Sequence, residues 1–350
     1  MKKIDINKLV RRNVLSLKPY SSARAEFNTS ESKMIFLDGN ENPYESNLNR
    51  YPDPLQNKLK KELASFREID PENIFIGNGS DDVIGLIINL FCDPLKDSIM
   101  ILPPTFGMFE VLAKSNNVNV NRVALNENFQ PDVTKIMNNY TENTKLLFFA
   151  SPNNPTGNDF DLNLINKIVN NFPGIIVIDK AYHEFSNQKD VIGLIKRNTN
   201  VIICETFSKA QGLAGARVGM AYSNKEIITF LNKIKYPYNL NVLSQKAAIK
   251  RLLNKDLVED QVKEIISERN KISLALKQIK FVKKVFPSNA NFILIRVDDS
   301  NLRYKQLIDH GLVVRNTSNQ IKCENTLRIS IGKPNENKVL IKSLKKIEEI

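Results

Sequence analysis

Lys209 lies in the run Thr206-Phe207-Ser208-Lys209-Ala210, and Arg217 follows eight residues later. The residues before it, Val201-Ile202-Ile203-Cys204, read as a short apolar strand. A lysine amine condenses with an aldehyde, while hydroxyls and a guanidinium suit a phosphate. Pyridoxal phosphate carries both groups and asks for that combination. Taken alone, the stretch also reads as a solvated lysine in a loop, so the rest of the chain has to decide.

Three further motifs bear on that choice. Gly77-Asn78-Gly79-Ser80-Asp81-Asp82 follows a strand pattern and opens an apolar helix pattern. Its glycines permit a tight turn and close backbone approach, and the first amides of a helix attract an anion. Ser80 and Asp81 are also ordinary helix caps, and no GKS or GKT follows, so this is not a P-loop. Ser151-Pro152-Asn153-Asn154-Pro155-Thr156-Gly157 reads as a polar turn, or as a turn that sets the Asn154 amide against a cofactor oxygen. Asp179-Lys180-Ala181-Tyr182 follows the apolar run Ile175–Ile178. A carboxylate at that point can keep a pyridine nitrogen protonated. Tyr182 can meet the ring's phenolic oxygen, and Ala181 is small enough for a flat ring. A solvated acid and a half-buried tyrosine are the plainer reading.

The elements that must hold these residues follow from apolar patterning. Strands are expected at Asn73–Ile76, Ser98–Leu102, Lys145–Ala150, Ile175–Ile178 and Val201–Cys204. Their short runs without alternation suit parallel strands covered on both faces. Helical patterns lie between them, as at Asp81–Phe91 and Leu162–Asn171. The alternation implies a doubly wound α/β domain, whose ligands bind beyond the carboxyl ends of the strands. A long surface helix is expected over Leu253–Lys280, then strands Ala290–Ile295 and Asn325–Ser330 and a closing helix Glu336–Ile347. The resulting division is an arm over 1–35, a large domain over 36–240 and a smaller α+β domain over 241–350.

Composition removes several classes. The chain of 350 residues is long enough for a full core or two moderate domains. Its net charge of +12 is spread among acids rather than gathered in an arm, and no nucleic-acid motif accompanies it. No apolar run approaches the roughly 20 residues of a membrane span, and Met1–Asp5 opens no signal peptide. Three widely spaced cysteines fit reduced thiols in a cytoplasmic protein and no metal site. Two distant histidines, His183 and His310, leave little for a histidine-based hydrolase.

Taken in order, the glycine turn, SPNNPTG, D-x-A-Y and S-K with its later arginine resemble fold type I pyridoxal-phosphate aminotransferases, over essentially the whole chain. Further segments are similar to histidinol-phosphate aminotransferases. They are Leu17-Lys18-Pro19-Tyr20-Ser21-Ser22-Ala23-Arg24, Leu37–Pro43, Arg50-Tyr51-Pro52-Asp53-Pro54, Pro103–Met108 and Thr326-Leu327-Arg328-Ile329. The resemblance implies a mostly parallel central sheet with helices on both faces, plus a smaller α+β domain. It also implies a homodimer acting on small molecules, exchanging an amino group between histidinol phosphate and 2-oxoglutarate in histidine biosynthesis.

The same resemblance assigns expected roles. Lys209 would form the Schiff base with pyridoxal phosphate and then shuttle a proton, its pKa lowered by the cationic cofactor system and Arg217. Asp179 would face the pyridine nitrogen, with Asn154 and Tyr182 at the ring oxygen and Phe106 stacked on the ring. Gly79, Ser80, Asp81, Thr206, Ser208, Arg217 and Tyr51 of the partner subunit would hold the phosphate. Tyr20, Asn40, Asn154, Arg315 and Arg328 would bind substrate, with the arginines at its anionic end. The chain departs from the family at Phe106, where tyrosine is common, and at Lys180, where an acid is usual. Asn42-Pro43-Tyr44-Glu45 lacks a glycine often found after that motif. A phosphothreonine decarboxylase-like lyase or an aromatic aminotransferase on the same scaffold would keep the cofactor residues.

Overall fold

A computed structural model describes residues 4–19 and 35–349 of the chain. Its main sheet has seven strands: β1 (Ile74–Gly77), β2 (Ser98–Ile101), β3 (Asn119–Arg122), β4 (Thr144–Ala150), β5 (Ile175–Asp179), β6 (Val201–Thr206) and β7 (Gly219–Tyr222). Their order across the sheet is β1-β7-β6-β5-β4-β2-β3. The apolar runs of β4, β5 and β6 are buried almost throughout, as expected of strands covered on both faces.

Side-chain alternation divides the core between the two faces. Leu147, Phe149, Ile176, Ile178 and Ile203 pack with Ile165 and Ile168 of helix Leu162–Asn171 on one side. Leu146, Phe148, Ile175, Val177 and Ile202 pack with Ile84, Ile87 and Ile88 of helix Ser80–Phe91 on the other. Each fully buried Ile or Phe is worth about 2 kcal/mol of transfer free energy, so this layered core dominates the stability of the scaffold.

One strand breaks the run of parallel pairings in this mostly parallel sheet. β7 is antiparallel to both β6 and β1, so the Asn73–Ile76 candidate, found as β1, has no parallel neighbour. The chain turns straight back after β6, and Thr206 sits opposite Gly219. That reversal returns Arg217 to the sheet edge that carries Lys209. Lys209 and Arg217, eight residues apart, both lie in the twelve-residue connection 207–218 between these two antiparallel strands.

A second, four-stranded antiparallel sheet has the order β10-β11-β9-β8, formed by β8 (Val282–Val285), β9 (Phe292–Val297), β10 (Arg315–Asn316) and β11 (Thr326–Ser330). Helices Lys255–Leu276 and Pro334–Glu348 cover it, burying Ile272, Leu276, Leu340 and Leu344. Helix Val242–Leu252, just past residue 240, packs on helix Asn57–Arg67 and adds Ala248 and Leu252 to the large-sheet core. No helix among the described residues is long and apolar enough to cross a membrane.

Candidate active site

The carboxyl ends of β1, β4, β5 and β6 open onto one edge of the large sheet, so four loops converge there. The loop after β1 is built around Gly79, whose φ of +92° lies in the region that favours glycine. A Cβ on Gly79 would stand 2.4 Å from Nη2 of Arg217. A Cβ on Gly219, at the start of β7, would stand 2.2 Å from the Ser80 backbone nitrogen. Both positions therefore need glycine, Gly79 for its backbone angle and Gly219 for the approach of β7 to the turn. Gly219 was not among the expected site residues, because its role depends on a strand pairing that its local sequence does not announce.

Helix Ser80–Phe91 begins at this turn, and the amides of its first turn, including those of Ser80 and Asp81, have no partner within the helix. Arg217 holds a left-handed backbone at φ 53° and sits above the same turn. Its Nη1 donates to Ser208 Oγ at 3.4 Å, and its Nη2 lies 3.4 Å from Asp81 Oδ2. Thr206 Oγ1 donates to Ser208 Oγ at 3.0 Å. Helix amides, two hydroxyls and a guanidinium thus surround one point, the donor set of a phosphate seat. The loop between is closed by Phe207 N donating to Val218 O and Leu213 N donating to Phe207 O.

Lys209 is exposed as a residue on this loop, but its amine end turns inward, 5.5 Å from the centre of the Tyr182 ring. Its surroundings lower its pKa, through burial first and then through Arg328, against the pull of Asp179 and Asp81. Arg328 therefore outranks Arg217, the cation expected to do this.

Behind Lys209 lies a polar shelf. Asp179 is 5% exposed and accepts the Ala181 N–H at 2.9 Å. Burial pushes its carboxyl pKa up to about 6, despite that hydrogen bond and the nearby Lys209. Tyr182 is also buried, and its phenol is pushed up to about 12, mainly by burial. The Asn154 amide donates to the Tyr182 hydroxyl at 3.4 Å. Asn153 braces this loop from inside: it donates to Pro104 O at 2.8 Å and accepts from Thr105 Oγ1 at 3.2 Å. That brace ties the Asn154 loop to the one bearing Phe106, whose ring meets Phe109 edge-on at 5.6 Å.

The smaller sheet supplies cations. Arg315 and Arg328 are direct partners across β10 and β11, so both project to one face. Arg328 Nη1 donates to Asn154 Oδ1 at 2.5 Å, and its guanidinium lies 5.3 Å from the Phe292 ring centre. Two like charges directly opposite repel, an arrangement that an anion between them relieves.

Lys180, one of the departures from the family pattern, is 2% exposed. Its ammonium is answered by Asp159, Asp190 and Glu205, and burial lowers its pKa. Beside it Arg67 pairs with Glu205 and Asp190, each at 2.7 Å, and His183 Nε2 lies 3.7 Å from Glu205. This ionic cluster behind the shelf was not foreseen, since its members come from four separated segments.

Tyr51 and Asn40 lie elsewhere. Tyr51 is half-exposed and stacks on Tyr238 at 4.4 Å. Asn40 is exposed, with a left-handed backbone at φ 52°. Tyr20 and the remainder of its motif from Ser21 to Arg24 lie outside the described residues. Among the described residues, no group of three or more His, Cys, Asp or Glu side chains is arranged to hold a metal ion.

Comparison with known proteins places this geometry. The family model for aminotransferase class I and II matches residues 34–344. The histidinol-phosphate aminotransferase of Christiangramia forsetii is 51% identical over 348 residues, 99% of each chain. The crystal structure of the histidinol-phosphate aminotransferase from Clostridium acetobutylicum superposes with a TM-score of 0.80 at 27% identity, covering 87% of this chain and 92% of that one. The Sinorhizobium meliloti enzyme of the same name, solved with pyridoxal-5'-phosphate, gives 0.79 at 24% identity over 86% of this chain and 83% of its own. With the converging strand-end loops and a match over most of its length, this chain belongs to the class I and II aminotransferase family.

Proposed function

We propose that this aminotransferase exchanges an amino group between histidinol phosphate, with its keto partner imidazole acetol phosphate, and the glutamate/2-oxoglutarate pair, using pyridoxal phosphate. The observation that carries the reading is the Arg315–Arg328 pair, held over the Lys209 shelf by the Arg328–Asn154 hydrogen bond. A substrate with an amine near one end and a phosphate at the other spans that arrangement. The similarity to the histidinol-phosphate aminotransferase of Christiangramia forsetii supports the same substrate.

The residues present fit the cofactor on three counts. The left-handed Gly79 leaves space for the Arg217 guanidinium at a helix N-terminus, where a phosphate is favoured. Asp179 is a buried carboxylate, a natural partner for a protonated ring nitrogen. Ala181, beside it, is buried and offers no bulk against a flat ring. Bound there, pyridoxal phosphate would supply an aldehyde for amine exchange and a cationic ring that draws electrons from the substrate carbon.

The chain's own side chains would do the rest. Arg217, Ser208, Thr206 and the Ser80 and Asp81 amides would bind the phosphate, joined by Tyr51 of the partner subunit. Asp179 would keep the ring nitrogen protonated, while Asn154 and Tyr182 fix the ring oxygen and Phe106 covers a face. The Lys209 amine, with its pKa lowered, would take the proton from the amine-bearing carbon and return it one atom away. Arg328 and Arg315 would orient the substrate's phosphate, or a carboxylate of glutamate, since a guanidinium fork fits either.

A second subunit would complete the cup. Leu48 at 54%, Tyr51 at 50% and Leu243 at 61% exposure line a cleft of about 380 Å³ and give it exposed apolar surface. That surface suits a copy of the same chain.

Kinetics with altered donors test the assignment. Removing the phosphate from histidinol phosphate should lower kcat/KM by about a hundredfold or more, from lost charge-assisted contacts. Equal rates with phenylalanine would favour an aromatic aminotransferase. Carbon dioxide released from phosphothreonine, with no amino transfer, would favour the lyase.

A further inference from the structure

We propose that Lys235 is a positioning residue whose ammonium, acting with Gln56 and Asn239, clamps the Tyr51–Pro54 segment and so aims Tyr51 at the partner subunit's phosphate seat. The inference rests on the dimer reading above, in which Tyr51 reaches across.

Residues 50–54 form neither helix nor strand, so other contacts must fix Tyr51. One end of the segment is held by the Tyr51–Tyr238 stack, with rings 4.4 Å apart and 12° from parallel. The other end is held by Lys235, which is only 8% exposed. Its Nζ donates to Pro54 O at 2.7 Å, Pro237 O at 3.0 Å and Tyr236 O at 3.2 Å. All three ammonium protons are thereby used on backbone oxygens. The spans from Tyr51 to Pro54 and from Lys235 to Tyr238 are closed at both ends, by a ring stack and by an ammonium.

The clamp is anchored to the sheet edge. Gln56 Nε2 donates to Pro54 O at 2.9 Å and to Asn239 Oδ1 at 3.1 Å. Asn239 Nδ2 donates to Ile76 O at 2.9 Å, in the strand that leads into the Gly77–Gly79 turn. The position of Tyr51 is thus referenced to the strand that builds this subunit's own phosphate seat. A buried lysine is costly, and this one adjoins a second, Lys60, with Asp53 and Asp82 as the nearby carboxylates. Burial and Lys60 bring Lys235 down to about 8. A salt bridge does not account for its place, because its hydrogen bonds all go to backbone oxygens of the two spans.

The test measures binding to apoprotein, with pyridoxal phosphate and phosphate-free pyridoxal titrated by fluorescence and the dimer followed by sedimentation. Lys235→Met should weaken pyridoxal phosphate about tenfold, leave pyridoxal unchanged and leave the dimer intact, with Lys235→Arg recovering most of the loss. Unchanged binding of both ligands, or an equal loss for both, overturns the proposal. Tyr51→Phe separates the two levels. If it leaves pyridoxal phosphate affinity unaltered, the dimer reading itself fails and this inference with it. If it weakens that affinity while Lys235→Met does not, only the clamp is refuted. Should Lys235→Met not fold, Asn239→Ala breaks the link to Ile76 and is read by the same outcomes.

Discussion

Replacing Asp179 by Asn should stabilise the apoprotein while disabling it. The carboxylate is buried, and its pKa is raised from 3.8 to about 6 because burial outweighs the Ala181 hydrogen bond and the attraction of Lys209. A shift of about two units, at 1.36 kcal/mol each, makes the ionised carboxylate cost about 3 kcal/mol in the folded apoprotein. The folded pKa lies above the unfolded one, so the contribution to stability is intact below about pH 4 and is lost as pH rises through about 6. Asn keeps an oxygen for the Ala181 N–H and carries no charge to desolvate. Urea unfolding of apoprotein should therefore find Asp179→Asn more stable by about 3 kcal/mol near pH 8, with the gain vanishing near pH 4. Pyridoxal phosphate titration of the same variant should show weaker binding, because the carboxylate proposed to face the ring nitrogen is gone. A variant no more stable than its parent near pH 8, or a gain equal at both pH values, would refute the reasoning.

Three other substitutions bear on separate parts of the site. Lys209→Ala should abolish both turnover and the absorbance of lysine-bound cofactor, while far-ultraviolet circular dichroism stays that of the parent; retained activity would remove Lys209 from its role. Gly219→Ala places a Cβ 2.2 Å from Ser80 N. It should cost about 1–3 kcal/mol in thermal or urea unfolding and weaken phosphate binding, as overpacking forces the turn apart. Arg328→Lys keeps the charge but loses the fork. It should lower kcat/KM for histidinol phosphate by about ten- to a hundredfold, since an ammonium lacks the planar fork that grips an anion through two parallel hydrogen bonds.

Much of this arrangement was legible in the chain, for identifiable reasons. β4, β5 and β6 are continuous apolar runs, and helix Leu162–Asn171 carries a clear apolar stripe. Their strand-end loops hold residues whose local identity already limits their chemistry, such as Asp179 and Lys209. β7 was missed because Gly-Met-Ala-Tyr has little strand preference, and β3 because Asn-Val-Asn-Arg is a polar strand at the edge of the sheet. The need for glycine at 219 arises from backbone approach between distant segments, which no local pattern encodes. The surroundings of Lys180 and the Lys235 clamp are equally non-local. Lys180 is enclosed by carboxylates from other loops, and Lys235 reaches Pro54 across 181 residues of sequence.

Following the amino group itself tests the account most directly. Purified protein with pyridoxal phosphate is mixed with histidinol phosphate labelled with heavy nitrogen and unlabelled 2-oxoglutarate, and the products are read by mass spectrometry. The account predicts labelled glutamate in equal amount to imidazole acetol phosphate, with no carbon dioxide. Unlabelled 2-oxoglutarate left unchanged beside intact donor, while phosphothreonine is decarboxylated under the same conditions, would contradict it.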